Sequence, residues 1–218
     1  MDQERCRTSF RAEHVVSRRF TSPDCLRYMH DYGGPAGFRL AVRHPTRVRG
    51  LVIQNAVANA AGRNLDVSRE LTPFWQRRDA ETEGAARQPL YRATTRGQYT
   101  QGSTRLHRLS RDAWPHDQAS LDRPGNGAIQ LALLHDYSDN LAQYSAWKEY
   151  LLRHRPKALI AWDRGDPYFS AQAVGFYRAV PPDAELHLYG GGHFALATQI
   201  EEIPKATLSF LGAIEERG

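Results

Sequence analysis

The run His30-Asp31-Tyr32 sits between an apolar, strand-like stretch ending at Met29 and a small-residue stretch, Gly33-Gly34-Pro35-Ala36-Gly37. A strand, a glycine-rich turn and a helix in that order make a nucleophile elbow, whose strained backbone lifts one side chain clear of the sheet. Asp31 occupies the apex. With an unperturbed pKa of about 3.9, a carboxylate is ionised at neutral pH and can attack carbon without help from a base. The resulting ester must then be hydrolysed, which needs a histidine to activate water and an acid to orient the histidine. Both types follow in the chain. Ala161-Trp162-Asp163-Arg164-Gly165-Asp166-Pro167 and Gly190-Gly191-Gly192-His193-Phe194 each come just after an apolar run.

Each of these residues also has a purely structural reading. Asp31 can cap the helix that follows it, because aspartate near a helix start accepts backbone N–H bonds. Asp166-Pro167 can be a turn, Asp163 competes with Asp166 for the acid role, and His193 can be a loop histidine. The combination favours chemistry, since all three positions fall just past expected strand ends, where parallel sheets bind their ligands.

The elements that hold these positions are readable from periodicity. Asp24 to His30 is expected as a strand, Pro35 to Arg43 as a helix stopped by His44-Pro45, and Val48 to Asn55 as a buried parallel strand. From Val57 to Arg155 the texture changes. Pro73, Pro89, Pro115 and Pro124, together with several glycines, break the chain into short helical pieces, with Asn126 to His135 and Tyr144 to Arg153 as the best-formed helices. The alternation then resumes: a strand at Lys157 to Trp162, a helix at Ala171 to Val180, a strand at Glu185 to Tyr189, and a helix from Ile200 to Glu216 bearing Ile203, Leu208, Phe210, Leu211 and Ile214. Strands alternating with helices imply an α/β fold with a parallel sheet.

The elbow His30-Asp31-Tyr32-Gly33-Gly34-Pro35, the stretch Arg43-His44-Pro45-Thr46-Arg47-Val48, the segment from Trp162 to Phe169 and Gly192-His193-Phe194-Ala195-Leu196 together resemble the epoxide hydrolase and haloalkane dehalogenase branch of the α/β-hydrolases. The resemblance runs from about Tyr28 to the C-terminus. It implies Asp31 as nucleophile, Asp166 as charge-relay acid and His193 as base, in the order that fold uses. Asp163 stands where the family usually has glycine. The resemblance also implies a helical cap at 57–155, an α/β core at 24–56 and 156–218, an oxyanion donor in the Tyr32 N–H, and no cofactor or metal.

Cap tyrosines bind the epoxide oxygen in epoxide hydrolases, whereas dehalogenases hold halide with indole N–H groups, one of them commonly beside the nucleophile. That neighbour is Tyr32 here, which favours a small epoxide or related electrophile over a haloalkane. Tyr91, Tyr99, Tyr137, Tyr144, Trp114 and Trp147 are the candidate donors, with Tyr99 and Tyr137 chosen as substrate-binding. A haloalkane dehalogenase-like activity remains an alternative.

A complete member of this fold has about four strands and a helix before its elbow, including a His-Gly loop that donates one oxyanion N–H. The stretch preceding Leu26 is too short to hold them, and residues 1–23 form an arginine-rich leader unlike the family. The expectation is a truncated fold with about four strands, in which the elbow strand lies at an open edge and the chain, marginal as a monomer, forms a homodimer or aggregates through that edge. A non-catalytic remnant is the corresponding alternative.

Composition bounds the remaining classes. At 218 residues, with 41% hydrophobic and 24% charged residues, the chain can bury a sizeable core and is not disordered. The net charge of +5 raises nucleic acid as a partner, but only Lys148, Lys157 and Lys205 of the 29 basic residues are lysines, and the arginines are dispersed rather than clustered. Small molecules are therefore the expected partners. Cys6 and Cys25 have no metal or redox spacing. Without an apolar signal core or a membrane-length run, a soluble cytoplasmic protein is expected.

Overall fold

The computed structural model of the chain describes residues 25–181 and 183–216. The expectation of a leader at residues 1–23 lies outside the described residues. Four parallel strands, β1 (Cys25–His30), β2 (Val48–Gln54), β3 (Lys157–Asp163) and β4 (Glu185–Tyr189), form one sheet in the order β1-β2-β3-β4. Among the described residues β1 pairs with β2 alone and forms the edge of the sheet.

Side chains alternate across the sheet, as the two-residue period of a strand requires. Leu51 and Ile53 of β2 and Ala158, Ile160 and Trp162 of β3 face one core, while Val52 and Leu159 face the other. A strand covered on both faces must be apolar throughout, and this is why β2 and β3 read as continuous hydrophobic runs.

The first crossover is α1 (Gly33–Arg43), which begins two residues earlier than its composition suggests, so Gly33 and Gly34 lie in its first turn. Close packing explains the glycine at 34, where an added Cβ would stand 2.7 Å from the Ala56 Cβ. Between β2 and β3 come α2 (Leu65–Gln76), α3 (Ala80–Ala85), α4 (Arg92–Thr100), α5 (Ala113–Leu121), α6 (Asn126–Asp136) and α7 (Tyr144–His154). Asn64 caps α2 by accepting from the Asp66 and Val67 N–H groups, and Asp79 and Thr82 form a capping box on α3. Part of this helical segment has its own small core, in which Phe74, Ala86 and Leu131 are buried with Leu71, Trp75, Leu90 and Leu134 around them.

The sequence reading places the cap at 57–155, and helix α7 (Tyr144–His154), inside that span, is packed on the sheet. Helix α7 packs beside α1, its Trp147 stacks on Phe38 with centroids 5.2 Å apart, and Trp147, Tyr150 and Leu151 belong to the main sheet core. Trp147 is buried there at 1% exposure, which removes it from the candidate donors. The sequence shows an amphipathic helix in both cases; which core its apolar face joins depends on tertiary packing alone.

Helix α8 (Ala173–Ala179) connects β3 to β4, and α9 (Glu202–Glu215) covers the opposite face with Phe210 and Ile214 against Val52 and Leu159. Leu208, expected on its buried side, is 67% exposed. Among the described residues no helix is long and apolar enough to cross a membrane.

Because α7 is part of the sheet's core, Trp147→Ala should lower the unfolding free energy of the whole cooperative transition by about 3–5 kcal/mol, the usual cost of deleting a buried large aromatic. Urea denaturation followed by far-UV circular dichroism checks it. An independently melting cap helix would instead show a separate minor transition and an unchanged main midpoint.

Candidate active site

The carboxyl ends of β1, β3 and β4 place three loops side by side. Asp31 follows His30 with a left-handed φ of +47°, a conformation that costs a non-glycine residue on the order of 1–3 kcal/mol. Its backbone carbonyl accepts the Gly34 N–H at 2.9 Å, which closes the turn. No helix N–H donates to its carboxylate among the described residues, so the capping role does not account for Asp31. Its Oδ2 faces the Nε2 of His193 at 3.6 Å.

His193 is 2% exposed. Its Nδ1 lies 3.1 Å from Oδ2 of Asp166, so the imidazole spans the two carboxylates. Asp166 is saturated: Oδ1 accepts the Tyr168 and Phe169 N–H groups at 2.8 and 3.1 Å, and Oδ2 also accepts Nδ2 of Asn55 at 2.9 Å. Asp163 does not reach the histidine. Its Oδ1 accepts the Gly191 N–H at 2.7 Å, and burial, only partly offset by that bond, pushes its carboxyl up to about 7, with the Asp166 charge adding to the rise.

Asn55 is a residue the sequence reading missed. It follows β2 with a left-handed φ of +38°, is fully buried, and donates to the Asp163 carbonyl at 3.1 Å while accepting the Asp163 N–H at 2.9 Å. It therefore splices the end of β2 to the acid loop. The available signal was a pair of polar residues, Gln54 and Asn55, directly after the apolar run Leu51-Val52-Ile53.

The site opens into a cavity of about 450 Å³ under the helical segment. Asp31, Tyr32, Tyr137, Tyr168, Phe169, His193 and Phe194 form its floor. Of the two tyrosines expected to bind substrate, Tyr137 lines this cavity, edge-on to Tyr32 at 5.5 Å. Burial raises the Tyr137 hydroxyl well above its ordinary value, with Tyr144 and the Asp31 charge contributing. Tyr99 is not on the cavity wall. Its ring stacks on Phe194 at 4.5 Å and its hydroxyl donates to Asp117, so it supports the wall from behind. Tyr168 takes the position that was sought in Tyr99, edge-on to His193 at 4.9 Å. Tyr91 is 52% exposed and Trp114 lies under Arg92; neither lines the cavity.

The helical segment is seated directly on these loops. Thr104 donates to the Gly190 carbonyl at 2.8 Å, Arg105 and Arg108 pair with Glu202, and Gly102, with φ +73°, lies so close to Gly165 that any side chain there would collide with the Gly165 carbonyl.

A family model described as the alpha/beta hydrolase fold matches residues 30–199, a span that contains the elbow, the acid loop and His193. The chain belongs to the alpha/beta hydrolase fold family. It is 31% identical over 185 residues to an uncharacterized hydrolase of Saccharomyces cerevisiae, an alignment covering 84% of this chain and 64% of that protein. The chain thus spans a little under two thirds of that relative's length. Among solved structures it resembles haloalkane dehalogenase DbeA from Bradyrhizobium elkani, with TM-score 0.70, 15% identity, and coverage of 94% of this chain and 72% of that one. The 2-hydroxy-6-oxo-6-phenylhexa-2,4-dienoate hydrolase of Rhodococcus sp. is similar with TM-score 0.66 and 14% identity, over 90% of this chain and 66% of that one. At these identities the likeness is one of fold.

Electrostatics give the site a measurable signature. Burial pulls the His193 imidazole down, but its bonds to Asp166 and Asp31 and their charges outweigh this, and it is raised from 6.5 to about 9. His30 moves the other way, lowered by burial and then by the neighbouring His193. A base raised on folding stabilises fully below its unfolded value and loses that contribution as pH climbs through its folded value. The melting temperature should therefore fall between pH 6.5 and about 9, and this fall should shrink in His193→Gln. Differential scanning calorimetry across that range is the check; equal slopes in both proteins would show that the imidazolium is not held by the carboxylates.

Proposed function

We propose that this chain is a hydrolase that opens small epoxides through a covalent ester on Asp31. The observation that carries the reading is the Asp31 carboxylate at the left-handed apex of the elbow, facing His193 Nε2 at 3.6 Å on the floor of a cavity. Serine at such an apex would need a base to become a nucleophile; an ionised carboxylate does not.

Asp31 Oδ attacks a ring carbon, the C–O bond breaks, and the alkoxide takes a proton from Tyr137. Its phenol is supported as donor by its position on the cavity wall beside Tyr32. The proton lost by Tyr137 is restored from the His193 imidazolium. That transfer becomes favourable because ester formation removes the Asp31 charge, one of the two that hold the His193 proton. Neutral His193 then takes a proton from water, and the hydroxide adds to the ester carbonyl. The Tyr32 N–H, next after the apex, would donate to the oxyanion. Collapse expels the diol oxygen, which takes the proton from His193, and Asp31 returns its carboxyl proton to the imidazole.

Epoxide is favoured over haloalkane by the available donors. Trp75 lines the cavity, but its indole N–H is committed to the Leu134 carbonyl at 2.9 Å, and Trp114 and Trp147 lie elsewhere. Tyr32, Tyr137 and Tyr168 line the cavity with Asp31, which supports phenol hydroxyls rather than indole N–H groups as donors.

Incubating His193→Gln with styrene oxide should leave an adduct on the peptide containing Asp31, visible by intact-protein and peptide mass spectrometry, because ester hydrolysis is blocked. Asp31→Ala should form none and lose all turnover. Full activity in Asp31→Ala would sink the reading, and an adduct with 1-bromobutane but none with the epoxide would replace it with haloalkane chemistry. In the same assay Asp166→Asn should reduce turnover by orders of magnitude more than Asp163→Asn, since only Asp166 touches the imidazole; the opposite ranking would mean the acid has been assigned wrongly.

A further inference from the structure

Arg63 lines the same cavity and has no counter-charge among the described residues. Its backbone is tied to the loop after Asp166: the Asn64 N–H donates to the Tyr168 carbonyl at 3.0 Å, the Ser170 N–H donates to the Gly62 carbonyl at 2.8 Å, and Arg63 itself bridges to Phe169. Its distance from the acid and histidine is thus set by main-chain bonds. The guanidinium, by contrast, is almost unengaged. Nε is buried without a hydrogen-bond partner, Nη1 has only Ser68 Oγ at 3.5 Å, and among the described residues no carboxylate comes within ion-pair distance.

The other charged groups on the cavity wall are accounted for. Asp31 faces His193, Asp117 accepts the Tyr99 hydroxyl, and Arg123 is exposed with its Nε on the Ser120 carbonyl. The Arg63 charge reaches Tyr137 on the cavity wall, and Tyr144, opposing the burial-driven rise of both. A partly buried cation with unsatisfied donors is unfavourable until an anion enters beside it. The planar fork of a guanidinium suits a carboxylate in particular, which it binds through two parallel hydrogen bonds.

We propose that the cavity selects electrophiles that carry a carboxylate, gripped by Arg63 while the reacting carbon lies against Asp31. This rests on the hydrolase reading above for the reaction, but the anion site stands on its own geometry. Charge sign orients such a substrate: its carboxylate is attracted to Arg63 and repelled by Asp31, so the neutral epoxide end is the one presented to the nucleophile.

Binding separates the two ideas. The full chain is titrated with 3-phenylpropionate and with its neutral isostere 3-phenylpropionamide, both unreactive, by isothermal calorimetry at low salt. Wild type should bind the carboxylate roughly tenfold or more tightly than the amide, the range of a charge-assisted bond. Arg63→Gln should erase that preference while leaving amide affinity unchanged, and Arg63→Lys should keep part of it. Equal affinities in wild type, or an undiminished preference in Arg63→Gln, overturn the proposal. Should Arg63→Gln fail to fold, the wild-type ratio and the lysine variant decide it. Turnover of phenylglycidate in preference to its methyl ester would join site and reaction; a carboxylate preference in binding without any epoxide turnover would uphold the anion site and remove the hydrolase reading.

Discussion

A carboxylate buried next to an imidazole persists only if its lone pairs are met, and the Asp166 side chain meets this condition four times over. It accepts from two backbone N–H groups of its own loop, from Asn55 at the end of β2 and from His193 after β4. Those contacts join the segments after three adjacent strands into one polar network at the end of the sheet. Removing a single donor would leave a charged oxygen buried and unpaired, which costs far more than the bond contributes when intact. The left-handed Asn55, the tight loop 166–169 and the orientation of the His193 ring are all consequences of satisfying that one group.

The network also explains what was legible in the sequence. Asp31, Asp166 and His193 could be read because each combines a reactive residue type with a local signature, glycines after an apolar run, that survives without knowledge of the fold. β2 and β3 were readable for a related reason: burial on both faces leaves no alternation to misinterpret along residues 51–53 and 158–162, while the half-exposed β4 falls at Glu185–Tyr189 as its apolar positions imply. Asn55 was invisible because asparagine after a strand is ordinarily a turn residue, and its worth lies in partners more than a hundred positions away. Tyr168 was not among the candidates for a similar reason: which tyrosines line the cavity depends on the side of Phe194 that each ring occupies, and Tyr99 stacks behind it while Tyr168 lines the cavity.

Helix α7 shows a subtler limit. Its periodicity correctly indicates a helix with one apolar face, yet the chain contains two separate apolar clusters to receive such a face. Phe38 decides the matter by offering an aromatic surface to Trp147. The catalytic-face cavity is what lies between these clusters: its floor is fixed by main-chain bonds at the sheet ends, and its roof by side chains such as Leu71, Trp75 and Leu131 that rest on one another. The floor thus rests on main-chain bonds, and the roof on apolar packing supplemented by a few side-chain bonds such as that of Trp75 to Leu134.

Two of the left-handed residues, Asp31 and Asn55, follow His30 and Gln54, which are paired neighbours in the sheet. Their backbone angles admit glycine, asparagine and aspartate and few other residues. In the genetic code these three are linked through single base changes, because aspartate codons differ from both asparagine and glycine codons at one position. A lineage of such chains can therefore pass from Asp31 to asparagine or glycine and back without straining the turn, gaining or losing the carboxylate proposed as nucleophile while the sheet above which it stands folds as before. On that proposal, catalytic and inert descendants would be separated by one nucleotide and by almost no difference in shape.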